Sequence, residues 1–151
     1  MGNIRAKIQL LDKYVKEYKM NLKGKIEETS ETKVDCSLGF GIVNIQEVKN
    51  KIGQIQLVYD IQLLKGKDKI GTIYLDIQAL FEAEEGINKK EFEEMLKYNG
   101  ATTLSQIARA YIISNTSLSG MPTINLPMIN FVEFFKNAEA GEKEINNVTN
   151  L

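Results

Sequence analysis

The chain has no histidine, no tryptophan, a single cysteine, Cys36, and only two prolines among its 151 residues. Without histidine there is no Ser-His-Asp triad, no Cys-His pair and no imidazole for a metal, and one thiol closes no intramolecular disulfide. Most familiar hydrolytic and metal chemistry is excluded by counting. An excess of charge of either sign is also missing: 19 Lys and Arg face 20 Asp and Glu, a net of -1. Nothing global therefore draws the chain to nucleic acid or to an anionic membrane. No run approaches the roughly 18 consecutive apolar residues of a membrane span. The stretch Met1 to Lys7 lacks an apolar signal segment, and Ala6 breaks the myristoylation pattern. The expectation is a cytoplasmic, reduced protein with no metal and no cofactor, in which the sequons at Asn115 and Asn147 are coincidental.

What is present suits one globular domain. With 43% hydrophobic and 26% charged residues, the composition is that of a soluble folded chain. A chain of this length buries roughly 70% of its extended surface, enough for a core without disulfides or metal. Charge is unevenly spread along it. Residues 1–25 hold seven Lys and Arg against Asp12 and Glu17, and residues 82–97 hold six Glu against three Lys. Residues 98–132 hold one charge, Arg109, where 26% of 35 residues would be about nine. That depletion needs a cause.

From Lys33 to Glu82 hydrophobicity has a period of two. Val34, Cys36, Leu38, Phe40 and Ile42 alternate with polar or small residues. Ile55, Leu57, Tyr59, Ile61 and Leu63 do the same, as do Ile73, Leu75, Ile77, Ala79 and Phe81. Such alternation predicts antiparallel strands with one buried and one wet face, joined by turns at 49–51 and 66–68. Cys36 falls on the buried face and is expected to be inert. The N-terminal stretch is ambiguous: Leu11, Val15, Tyr18 and Leu22 fit a helix, whereas Tyr18, Met20 and Leu22 fit a strand. After Glu82 the period becomes about 3.6. Asn88 with Glu91, and Asn130 with Glu133, are N-cap pairs with flanking apolar residues that announce two helices. Gly100 should stop the first. Between them Leu104, Ile107, Ala108, Tyr111, Ile112 and Leu118 mark a longer helix over about 103–119, ended by Gly120 and Pro122. From Gly141 onward the chain is polar and expected to fray. Strands followed by helices predict an α+β domain with the helices on one face of the sheet.

Opposite its apolar stripe the long helix carries Ser105, Gln106, Ser114, Asn115, Ser117 and Ser119, where a surface helix has charges. Two readings stand: an ordinary polar face without charge, or a face covered by a second subunit. Uncharged polar groups tolerate partial burial where Lys and Glu do not. Arg109 would make a polar bond within that interface. The segment Gly120 to Phe131 contains both prolines and, with Met121, Ile124, Leu126, Met128 and Ile129, is apolar for a loop. It either packs down as a lid on the core or lines an apolar groove with Phe131, Phe134 and Phe135. The glutamate runs at 82–85 and 91–94 read as solvated faces or first-turn charges, and Gly39-Phe40-Gly41 lacks the third glycine of a dinucleotide loop. The chain is not expected to be an enzyme.

Ala108-Arg109 on a helix, then Gly120-Met121-Pro122, Asn125-Leu126, Ile129-Asn130-Phe131 and Phe134-Phe135 at this spacing, resembles the SecB export chaperone family. Lys16-Glu17-Tyr18-Lys19-Met20 resembles that family's first strand, and Phe81 the aromatic that closes its fourth. The resemblance implies a first strand rather than a helix, and a four-stranded antiparallel sheet with the long helix against it. It implies a single domain over residues 1–140, with 141–151 as a polar tail. It further implies a homotetramer, a dimer of dimers whose long helices lie between two sheets. Family members are not enzymes; they bind unfolded client polypeptides in apolar grooves. Those grooves are formed by the crossover after strand one, the edge of strand two, the loop between the helices and the last helix.

Carried onto this chain, the groove residues are Ile26, Met121, Ile124, Leu126, Met128, Ile129, Phe131, Phe134 and Phe135. The oligomer interface is Ser105, Gln106, Arg109, Ser114, Asn115 and Ser117. Acidic positions of the family contact the translocation motor SecA. Here Glu17 is the docking candidate, but Asn21 stands for a second acid and Thr72 and Tyr74 occupy outer-face positions, which counts against SecA as a partner. The 23–33 crossover has Ile26 as its only large apolar residue. The expected role is to keep non-native chains soluble, either for export or as the dedicated guardian of one client such as an antitoxin. An oligomeric adaptor without client binding is the alternative from another class.

Overall fold

The computed structural model describes residues 6–26, 32–47, 50–139 and 145–150. Four long strands come first: β1 (Ile8–Leu22), β2 (Thr32–Glu47), β3 (Lys51–Lys65) and β4 (Asp68–Ala83). Helix α1 (Lys89–Met95) runs through a π turn (Leu96–Gly100) into α2 (Ala101–Leu118), and α3 (Phe131–Glu139) and a short β5 (Ile145–Asn150) complete the chain. The sheet is antiparallel throughout, in the order β1-β4-β3-β2-β5.

The period of two carries directly into the register. Cys36 lies opposite Ile61 and Leu38 opposite Tyr59, while Leu57 lies opposite Ile77 and Ile61 opposite Ile73. All of these are buried, on the face the helices cover. β1 is a strand, paired with β4 through Tyr18 opposite Leu75 and Leu22 opposite Gly71. Its pattern looked helical because two register shifts, between Leu10 and Asp12 and between Val15 and Glu17, break the alternation.

Local chemistry explains the helix starts. Asn88 accepts from the Glu91 amide at 2.9 Å, and its side-chain amide donates to the Glu91 carboxylate at 2.9 Å. Asn130 accepts from the amides of Val132 and Glu133 at 3.1 and 3.2 Å. Gly120, at φ +75°, takes the left-handed position that ends α2.

Two expectations need correction. Gly100 does not stop a helix; it has helical dihedrals and is buried, and a Cβ there would lie 3.2 Å from Ile55 and 3.4 Å from Phe81. It is a contact point between helix and sheet, a need that sequence spacing does not reveal. Of the tail expected to fray from residue 141, residues 145–150 instead form β5, which adds a fifth strand along β2 from Lys33 to Leu38, while 141–144 and 151 lie outside the described residues. Main-chain pairing requires no apolar periodicity, so the polar composition hid it. Among the described residues no helix is long and apolar enough to cross a membrane.

Cys36 is 4% exposed, and burial, with Asp35 and Asp60 adding, pushes its thiol up to about 12. Burial also raises the Tyr59 hydroxyl. Both groups are held neutral more strongly in the folded chain than in the unfolded one. The stability they contribute is complete below the unfolded thiol's pKa of about 8.5. It is lost as pH climbs towards 12. Two results are expected: no reaction of the native thiol with an aromatic disulfide reagent at pH 8 until urea unfolds the chain, and a melting temperature that falls above pH 9. Rapid native-state labelling would contradict this placement.

Candidate functional site

The segment between α2 and α3 is a lid. Met121, Ile124 and Leu126 point into the core and are buried, while Thr123, Asn125 and Pro127 between them face out. Three polar contacts fasten the lid to α2. Arg109 Nε donates to the Leu126 carbonyl at 2.8 Å, and the Ile124 amide donates to Thr116 Oγ1 at 3.1 Å. Ser117 and Thr123 share a hydroxyl contact of 2.8 Å. Thr116 itself is buried and donates to the Ile112 carbonyl at 2.8 Å. Thr116→Val keeps the shape but strands a buried amide, so it should cost about 1–3 kcal/mol by urea denaturation. A loss within error would mean the lid is not held there.

Of the nine expected groove residues, Ile26, Met121, Ile124, Leu126, Phe131, Phe134 and Phe135 are all buried in the chain's own core. Only Met128, 72% exposed, and the half-buried Ile129 offer surface. Between the two readings of this segment, the structure has the lid. The cause lies in the alternation Ile124-Asn125-Leu126, which lets an extended loop bury its apolar side chains there and turn the polar one out. Nor are the nine brought together at one spot. Ile26 lines a depression with Thr32 at the start of β2, whereas Phe135 contacts Phe40, eight residues along that strand or roughly 26 Å away.

Beside the lid lies an apolar strip whose β2 residues were not among the nine expected groove residues, although the resemblance had pointed to the edge of the second strand. Phe40 and Tyr98 each meet the ring of Phe135 edge to face, at 4.9 and 5.8 Å, and Phe134 meets it at 5.1 Å. Lys97 places its ammonium 5.8 Å from the same ring. Phe40, Ile42 and Ile45 of β2 are only half buried, and Val43, at the register shift between Ile42 and Asn44, is 50% exposed. On α3, one turn before Phe135, Val132 is 57% exposed. Met128, at the end of the lid and just before α3, is exposed as well. The signal in the sequence was the run of apolar residues beyond Gly39 on a strand that has no fourth-strand partner; it reads as core until the edge position of β2 is known.

The outward side of α2 is a second uncharged surface. Thr103, Gln106, Ile107, Ala110, Ile113, Ser114, Ser117 and Leu118 recur at helical spacing and are exposed or half buried, with Leu118 at 86%. One expected interface residue sits elsewhere: Ser105 is buried against its own domain and donates to the Thr102 carbonyl at 2.8 Å. Arg109 is half buried, with its Nε on the lid. Gln106, Ser114 and Ser117 do face out, and the half-buried Asn115 donates to the Tyr111 carbonyl at 2.8 Å.

The opposite face of the sheet is polar, and its centre is joined by side-chain hydrogen bonds. Gln54 donates to Tyr14 Oη and Gln78 Oε1, Tyr14 donates to Gln78 Oε1, and Gln56 and Gln78 donate to the Asp76 carboxylate. Glu17 lies on this face in an ion pair with Lys19 at 2.9 Å. Around them a shallow depression of about 370 Å³ mixes Asp60 with Lys69, Thr72 and Tyr74, so it presents no acidic patch.

No protein-family model and no curated protein matches the chain. Solved structures do. Rv1957 from Mycobacterium tuberculosis, a SecB-like chaperone solved in complex with a ChAD peptide from the Rv1956 HigA1 antitoxin, has a TM-score of 0.64 at 13% identity, covering 82% of this chain and 91% of its own. A protein of unknown function from Streptococcus agalactiae has a TM-score of 0.42 at 13% identity, covering 80% and 96%. The likeness to Rv1957 is one of fold: a four-stranded antiparallel sheet with C-terminal helices on one face.

Proposed function

We propose that this chain is a SecB-like chaperone that holds unfolded or non-native polypeptides on the apolar strip of β2, α3 and the lid, and is not an enzyme. The observation that carries the proposal is the exposure of Val43 on β2, Val132 on α3 and Met128 just before α3, the two elements joined by the Phe40–Phe135 contact, on a chain with this fold. A buried client side chain contributes roughly 1.5–3 kcal/mol, while association costs at least about 4 kcal/mol, so one contact holds nothing. Several strips on one assembly, engaged by one long flexible client, bind tightly and tolerate many sequences. Met128 suits that task because an unbranched thioether repacks around different partners. The assembly in this proposal is a homotetramer, a dimer of dimers, with the uncharged outward side of α2 as the covered surface.

Two specific observations favour a dedicated client over general export. Glu17, the candidate for docking SecA, is neutralised by Lys19, and the surrounding depression carries both charge signs. The solved neighbour was crystallised with an antitoxin segment, which makes an antitoxin a reasonable client class here. The test is light scattering during aggregation of a reduced, denatured client in the cytoplasmic redox range. Suppression at equimolar tetramer is expected. Undiminished aggregation, from a protein shown to be folded and assembled, would leave the adaptor reading.

A further inference from the structure

The end of the chain occupies an edge that could receive another polypeptide. β5 pairs with β2 from Lys33 opposite Asn150 to Leu38 opposite Ile145, and stops there. Along this covered part Val34, Cys36 and Leu38 are buried. Past its end Phe40, Ile42 and Ile45 are half buried and Val43 is exposed. The β5 pairing is less than half as long as any other in the sheet. Its sequence mixes Ile145, Val148 and Thr149, good strand formers, with Asn146, Asn147 and Asn150, poor ones. It is a strand able to pair and easy to replace.

The geometry points to an autoinhibitory cap: β5 closes the edge of β2 over Lys33–Leu38, and an extended client segment displaces it by adding as a strand in its place. Strand addition draws affinity from the main chain and so accepts many sequences. The tethered β5 competes at high effective concentration, which excludes segments that offer the edge nothing more than hydrogen bonds. Client segments rich in β-branched and aromatic residues, long enough to reach Phe40 and Phe135 as well, are the ones that win. The inference rests on the chaperone reading and specifies where and against what the client competes.

The test uses the full chain in a Cys36→Ala background. Asp35→Cys with Val148→Cys puts thiols on a register pair, within the Cα span that a disulfide bridges. The probe is labelled, reduced and carboxymethylated α-lactalbumin, which stays unfolded. Oxidation of the pair should weaken probe binding at least tenfold, and reduction should restore it. Asn147→Pro with Val148→Pro, which removes whichever of two adjacent amides faces β2, should tighten binding several-fold and speed amide exchange at Lys33–Leu38 in the free protein. Equal affinity of oxidised, reduced and proline forms would overturn the cap and leave the chaperone reading standing. Faster exchange in the proline variant with no probe bound by any form would overturn the chaperone reading and displacement with it. A disulfide formed between two chains instead of within one would overturn capping in cis.

Discussion

Met128→Asp combined with Val132→Asp should weaken capture of an unfolded probe by about two to four orders of magnitude. Each side chain, if buried by a client, contributes roughly 1.5–3 kcal/mol, and about 1.4 kcal/mol is a factor of ten. The melting temperature should move by no more than about 4 °C, because both residues are exposed in the free chain and surface changes cost about 0.5 kcal/mol or less each. Fluorescence anisotropy and calorimetry separate the two effects. This pair is a cleaner probe than Phe134, which is buried within the aromatic cluster and whose loss would unfold α3. Unchanged affinity would move the client site away from α3 and the lid.

The second large effect concerns the joint between α1 and the sheet. Phe92 is fully buried over Gly53, where an added Cβ would lie 3.0 Å from its ring and 2.6 Å from Leu96 Cδ1. Phe92→Ala should cost about 3–5 kcal/mol, a large share of the roughly 5–15 kcal/mol that a domain of this kind has in total. Gly53→Ala should cost about 1–3 kcal/mol by overpacking. The double variant should lose less than the sum, since the new methyl group enters space the ring has left. Urea denaturation of the four proteins measures the coupling, and strict additivity would show that the two residues do not share this space.

Three strands were legible because each buries most of one face, so Val34 to Leu38, Ile55 to Leu63 and Ile73 to Phe81 announce themselves by alternation. The two helix starts were legible because Asn88 and Asn130 act within one turn. The remainder depends on distant partners. β1 is settled by its pairing with β4 across two register shifts, and β5 by its pairing with β2, neither of which local periodicity contains. Gly100 read as a stop because its need for space comes from Ile55 and Phe81, both far off in sequence. The lid residues were rightly seen as apolar, but choosing between lid and groove required Arg109 to be found on the Leu126 carbonyl. Ser105 was misplaced because the apolar stripe of α2 is wider than its large residues suggest. The buried Asp76 and Gln78 on the polar face are hydrogen-bonded by Gln56 and Gln54 of β3 and Tyr14 of β1, a pairing visible only once the register is known.

Amide hydrogen exchange of the intact protein, with and without an unfolded probe bound, tests most directly where client chains are held. Added protection should fall on β2 from Phe40 to Ile45 and on Met128 to Phe135. Protection confined to the polar face around Tyr14, Gln54 and Gln78, with the strip of β2 and α3 unchanged, would contradict the account.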